Sequence, residues 1–148
     1  MRAMATESVS GSVFVEAPPD RVYEYFTQPA AIVRWMGEYA LLEPRPNGRF
    51  HLDVRGTAVR GRYLELDPPH RIVISWGHAG SDELPPGGST LEVRLIDEGV
   101  GTRVELEHRD LPDELTRGYL GGWKHYLLRL RTSAVNGSAG PDPGMPDD

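Results

Sequence analysis

Cysteine is absent from the 148 residues, which excludes disulfides and thiolate chemistry. Long apolar runs are missing as well. The opening Met-Arg-Ala-Met-Ala-Thr-Glu-Ser holds no stretch of signal-peptide length, and nothing later approaches a membrane span. Positive charge is not in excess: the formal net charge is −6, and Asp142, Asp147 and Asp148 carry half of it in a segment from Ser133 onward that has no Lys or Arg. Such a balance gives no reason to expect nucleic acid or an anionic membrane as partner. The five histidines show no H-x-x-x-H or other ligand spacing, so no metal is expected. Gly118-x-x-Gly-Gly122 lies inside a helix pattern with no strand directly before it, unlike a phosphate loop. No Ser/His/Asp order offers covalent catalysis. The expectation is a cytoplasmic protein without cofactor, and no feature fixes an oligomeric state.

What the chain does have is a long amphipathic pattern near its end, from Leu111 to Arg131. Leu115, Tyr119, Trp123, Tyr126, Leu127 and Leu130 fall within one arc at the helical period, with Arg117, Lys124 and Arg131 on the far side. That stripe has to lie against a sheet. Three aromatic rings on it stand beside Gly118, Gly121 and Gly122, where side chains are missing. Large rings beside missing side chains point to a close backbone approach or to a gap that a ligand could fill.

The sheet is written upstream. Val9 to Val15 reads as a first strand, ended by Ala17-Pro18-Pro19; short helices then follow from about Pro19 to Phe26 and from Pro29 to Gly37. Six more strands are predicted: Tyr39 to Leu42, Arg49 to Val54, Val59 to Leu66, Arg71 to Trp76, Thr90 to Ile96 and Thr102 to His108. Turn signals at Pro46-Asn47-Gly48, Asp67-Pro-Pro-His70 and Asp97-Glu-Gly-Val-Gly101 make this an antiparallel meander. Ile72/Ile74/Trp76, Leu91/Val93/Leu95 and Val104/Leu106/His108 alternate onto one covered face. Gly80 to Gly88 is a longer loop that forms the cavity mouth in this reading.

The ordered set Ala17-Pro-Pro-Asp-Arg-Val-Tyr, Pro29 followed by Arg34-Trp35, the turn before Arg49-Phe50, Gly61-Arg-Tyr-Leu-Glu-Leu-Asp-Pro-Pro-His-Arg-Ile-Val, Gly101-Thr-Arg-Val-Glu-Leu-Glu-His and Gly122-Trp123…Leu127…Leu130 resembles one family. It is similar to the bacterial members of the family named for the activator of the heat-shock-protein-ninety ATPase, within the START-like (SRPBCC) helix-grip superfamily. The resemblance runs from Val9 to Arg131 and implies an α+β fold: a curved antiparallel sheet of about seven strands wrapped on a long C-terminal helix, with two short helices after strand one. It also implies a cavity that in many relatives takes a hydrophobic or aromatic molecule. It does not fix one activity. Asn47-Gly48 stands where a Gly-Gly pair is common in the family.

The domain division expected is a flexible N-terminus at 1–7, the helix-grip domain at 8–132 and a disordered, Gly/Pro/Asp-rich tail at 133–148. The expected function is binding of a small hydrophobic or aromatic ligand between sheet and helix. Candidate lining residues are Trp35, Trp76, His78, Leu91, Val93, Leu106, His108, Tyr119, Trp123, Tyr126 and Leu127. A cyclase, aromatase or hydrolase using His108 with Tyr119 or Tyr126, and a domain that contacts a chaperone, are the alternatives. For His108 a buried neutral imidazole is the structural reading and catalysis the competing one.

Overall fold

The computed structural model describes residues 6–144. Alternating apolar residues build seven strands, β1 (Thr6–Val15), β2 (Tyr39–Leu42), β3 (Arg49–Val54), β4 (Thr57–Asp67), β5 (Arg71–His78), β6 (Ser89–Glu98) and β7 (Gly101–Pro112). They form one antiparallel sheet of order β1-β7-β6-β5-β4-β3-β2. All neighbours are joined by consecutive connections except β1, which returns to pair with the last strand. Val13 lies opposite Val104 and Gly11 opposite Leu106, so the two ends of the chain close one edge together.

Helices α1 (Pro19–Thr27) and α2 (Pro29–Ile32) follow β1. Each has proline in its first turn, where no backbone N–H is needed. They contribute Val22, Phe26 and Ile32 to the core, and Trp35 just beyond is fully buried. The Trp35 indole packs edge-on against Phe26 and donates to the Tyr25 carbonyl, at 3.0 Å.

Helix α3 (Asp113–Asn136) crosses the concave face. Asp113 and Glu114 in its first turn suit the positive end of the helix dipole. Its stripe buries Trp123, Tyr126, Leu127 and Leu130 as the period requires. The crossing over β1 is tight at Gly11, where a Cβ would stand 2.9 Å from Leu127 Cδ1. A side chain here would force Leu127 to move, so glycine lets the helix sit close with that leucine in place.

Helix α2 stops at Ile32 where the sequence reading carried it to Gly37, β7 runs past His108 to Pro112, and both ends of the chain differ as well. Thr6 and Glu7 are already paired in β1, opposite Pro112 and Leu111, so the first strand starts inside the segment assigned to a flexible N-terminus; residues 1–5 lie outside the described residues. At the other end α3 runs on to Asn136, and Gly137, at φ 86°, caps it by donating to the Ser133 carbonyl. Residues 138–144 then return along the body instead of leaving it. Ala139 N–H donates to Arg34 O, and the Arg129 guanidinium donates to Gly140 O (2.7 Å) and Pro141 O (3.4 Å). The sequence reading put all of 133–148 in one tail; in the structure 133–136 belong to α3, 138–144 lie against the body, and 145–148 lie outside the described residues. Glycine and proline serve a fixed irregular path as well as a loose one.

Candidate functional site

Missing side chains hollow the space beneath the first half of α3. Gly118 and Gly122, one turn apart, both line it; Gly118 is exposed, and a Cβ there would meet nothing within 4 Å. Across from them the β3–β4 hairpin supplies Val54, Arg55, Thr57 and Val59, the end of β5 supplies Trp76 and His78, and Met36 follows α2. With Leu115, Tyr119, Trp123 and Tyr126 of the helix they surround a cavity of about 380 Å³. That volume is in the range of small-molecule sites. Trp76 and Trp123 form much of the wall, with ring centroids 5.4 Å apart and planes at 58°. The charged groups, Arg55 at the hairpin tip and Glu114 in the first turn of α3, are both exposed.

The hydroxyls on the inner helix face have protein partners. Tyr119 Oη accepts from Trp76 Nε1 at 2.9 Å and lies 2.5 Å from His78 Nε2. The indole can only donate, so the phenol proton is left to reach His78 Nε2 in the tautomer that accepts there. Burial pushes the Tyr119 phenol up to about 12 and pulls the His78 imidazole below its ordinary value, so at neutral pH the pair is a protonated phenol and a neutral imidazole.

His108 lies behind this wall, fully buried. Ser89 Oγ donates to the Trp76 carbonyl (2.7 Å), which leaves His108 Nε2–H to donate to Ser89 Oγ at 2.8 Å. His108 Nδ1 accepts from Trp123 Nε1 at 3.1 Å. Both ring nitrogens are thus engaged and the tautomer is set. Burial, with a smaller effect of nearby His78, lowers its pKa to about 3. This is the structural imidazole, and it does not line the cavity.

Tyr126 is committed to the returning C-terminal segment. Its hydroxyl donates to Asp142 Oδ2 at 2.6 Å, His125 Nε2 lies 2.8 Å from Asp142 Oδ1, and Gly144 N–H donates to the same oxygen. Burial alone would raise the Asp142 carboxyl, but the hydrogen bonds from Tyr126, His125 and Gly144 outweigh it and hold the group at about 2. The Arg55 guanidinium reaches the Asp142 carbonyl at 3.5 Å. Residues 138–144 therefore form a strap that touches two residues of the cavity, Tyr126 on the helix and Arg55 on the hairpin.

Of the residues expected to line the site, the structure brings together Trp76, His78, Tyr119, Trp123 and Tyr126. Trp35, Leu91, Val93, Leu106, His108 and Leu127 are buried in the solid core and do not line the cavity. Strand alternation placed Leu91, Val93, Leu106 and His108, and the helical period placed Leu127, on the covered face, but neither says which part of that face is open. The Gly80–Gly88 loop does not form the mouth either; the hairpin tip and the start of α3 do. The hairpin residues, Met36 and Asp142 carried no usable signal, whereas Leu115 and the two helix glycines stood on the stripe already noted. Among the described residues no cluster of His, Cys, Asp or Glu is arranged to hold a metal, and no helix is long and apolar enough to cross a membrane.

This geometry, a seven-stranded sheet gripping one long helix over a hollow, has counterparts. Residues 16–134 match the family described as activator of Hsp90 ATPase homolog 1-like protein, AHSA1. The chain belongs to this family. The AHSA1-like protein RHE_CH02687 of Rhizobium etli is 39% identical, with 99% of this chain and 94% of that one covered and a TM-score of 0.74. DynU16, from the dynemicin biosynthetic locus, has a TM-score of 0.78 at 19% identity; 89% of this AHSA1 chain is covered but only 48% of DynU16, so the chain spans about half the length of that neighbour. PFC0360w, an HSP90 activator from Plasmodium falciparum, gives a TM-score of 0.68 at 21% identity, covering 90% and 96% of the two chains. The last two likenesses concern the fold. No curated protein matches this AHSA1 chain.

Proposed function

We propose that this AHSA1 protein binds a small hydrophobic or aromatic molecule in the cavity between α3 and the sheet. The observation that supports this best is the glycine at position 118. A mid-helix glycine is destabilising by about 1 kcal/mol relative to alanine, and here an added Cβ would strike nothing. Stability alone would favour alanine; unlike the equally exposed Gly121, Gly118 lies on the cavity, where it keeps the opening clear. A flat apolar ligand would lie against the Trp76 and Trp123 rings, with the Tyr119–His78 pair at its edge to orient a polar group.

Gly118→Ala tests the reading in two measurements. The variant should gain about 0.5–1 kcal/mol of stability and lose affinity for hits from a thermal-shift library of flat aromatic, polyketide-like and fatty-acyl compounds. Gly118→Leu should abolish binding while the fold persists. If both variants bind as the parent does, the cavity is not the site.

A second reading, an enzyme of cyclase, aromatase or hydrolase type, draws on the Tyr119–His78 contact inside the cavity. Here Tyr119 would donate and His78 accept a proton, and His108 would take no part. Tyr119→Phe with retained binding but lost turnover of an aromatic polyketide would favour it. Chaperone contact, which the family description suggests, predicts instead an outer-surface footprint that cavity substitutions leave unchanged.

A further inference from the structure

On the opposite face of the sheet, away from the cavity, we infer a binding site for the phosphate group of a small phosphorylated molecule, built by Arg49, Arg60, Arg62, His51 and Ser75. Residues 43–62 carry five arginines and only two carboxylates, in a chain whose formal net charge is −6. The strand register concentrates that charge. Arg49 lies directly opposite Arg62, and His51 opposite Arg60. Like charges facing each other across two strands are destabilising unless something neutralises them.

Carboxylates neutralise only part. Glu43 takes the Arg49 guanidinium through two hydrogen bonds, and Asp53 takes Arg60 at 3.0 Å. The Arg62 side chain donates to a neutral acceptor, the Asn47 carbonyl, at 2.9 Å. Elsewhere on the sheet charges alternate: Glu92 sits between Arg71 and Arg109, Glu105 beside Arg94, and Glu98 beside Arg103. The β3–β4 face departs from this pattern.

It is also concave. Arg49, His51, Arg60 and Arg62, with the backbone of Gly61, Ser75 and the Pro86-Gly87 turn, surround a groove of about 370 Å³. Ser75 Oγ accepts the Arg62 N–H at 2.9 Å, which leaves its own hydrogen to donate into the groove. The groove is lined by three arginines whose remaining guanidinium donors, beyond those given to Glu43, Asp53 and Asn47, and the Ser75 hydroxyl suit an oxyanion. The groove is larger than a bare phosphate needs, and this argues for an ester. Burial, then Arg60, Arg49 and Arg62, lower the His51 pKa, with Glu43 opposing; a bound dianion would reverse that field.

The test is an NMR titration at low ionic strength with inorganic phosphate, pyrophosphate and adenosine monophosphate. Expected are shift changes confined to residues 49–62, Ser75 and the 86–87 turn, an upward move of the His51 titration, and tighter binding of the ester than of phosphate. Arg62→Glu should weaken binding by about tenfold or more, while Arg131→Glu, an equal charge change on the exposed side of α3, leaves it intact. No shifts at millimolar anion, or equal loss in both variants, would overturn the site. Cavity ligands should bind Arg62→Glu normally, so this result and the cavity reading stand or fall separately.

Discussion

His108 shows how a single side chain joins strand, helix and wall. It holds Ser89 of β6 and Trp123 of α3 in one hydrogen-bonded chain, and it does so only while neutral. Its pKa in the fold, about 3, lies below the ordinary 6.5. Between those values the unfolded chain binds a proton that the folded protein refuses. Stability should therefore fall as pH drops from 6.5 toward 3, by at most about 1.4 kcal/mol per pH unit. His108→Gln can donate to Ser89 and accept from Trp123 without titrating, so its melting temperature should change less over that window. Equal pH slopes for the two proteins would contradict the burial argument. The inward alternation of Val104, Leu106 and His108 was legible in the sequence; the Ser89 and Trp123 partners, which close the imidazole off from the cavity, depend on a strand pairing and a helix crossing that no local pattern encodes.

At the level of elements, the order and type of strands and helices were legible because one face of each is buried and the other wet, while several ends were misplaced by three to five residues. β4 is the instructive exception. By strict alternation Tyr63 and Glu65 share a face, which would bury a carboxylate or expose an aromatic ring. The structure resolves this with a register shift between Tyr63 and Glu65. A bulge lets Tyr63 stay fully buried, donating to Phe26 O, while Glu65 reaches Arg71 outside. The strap was the larger miss, since nothing local announces that Asp142 will meet His125 and Tyr126. Removing residues 138–148 should leave cooperative unfolding intact, as α3 is complete without them. The urea midpoint should nevertheless fall, and Asp142→Ala should reproduce about 1–3 kcal/mol of the loss. A midpoint unchanged in both would show that the strap contributes nothing to stability.

The whole molecule offers a different electrostatic signature in acid. Glu92, bonded by Arg71 and Arg109, is held at about 2, below its ordinary 4.5. Asp142 is held at about 2 as well, below 3.8. For depressed carboxylates the contribution is full above the ordinary value and disappears as pH falls through the folded one. Unfolding in acid should thus steepen between about pH 4.5 and 2, overlapping the lower part of the histidine window and extending below it, and added salt should shrink the Glu92 share more than the better buried His108 share. Glu92→Gln, followed by circular dichroism, should move the acid midpoint upward. A midpoint unchanged in that variant would show that the arginine network is electrostatically neutral to folding.

The paired indoles of Trp76 and Trp123 also make the cavity optically visible. Their transitions lie close enough to couple, whereas Trp35 is walled off beside Phe26. The far-ultraviolet circular dichroism, where the strong indole transition lies, should therefore carry an exciton signal from one pair of chromophores, placed where a guest would stack, together with a constant background from the third. Occupancy could be followed in solution without any label.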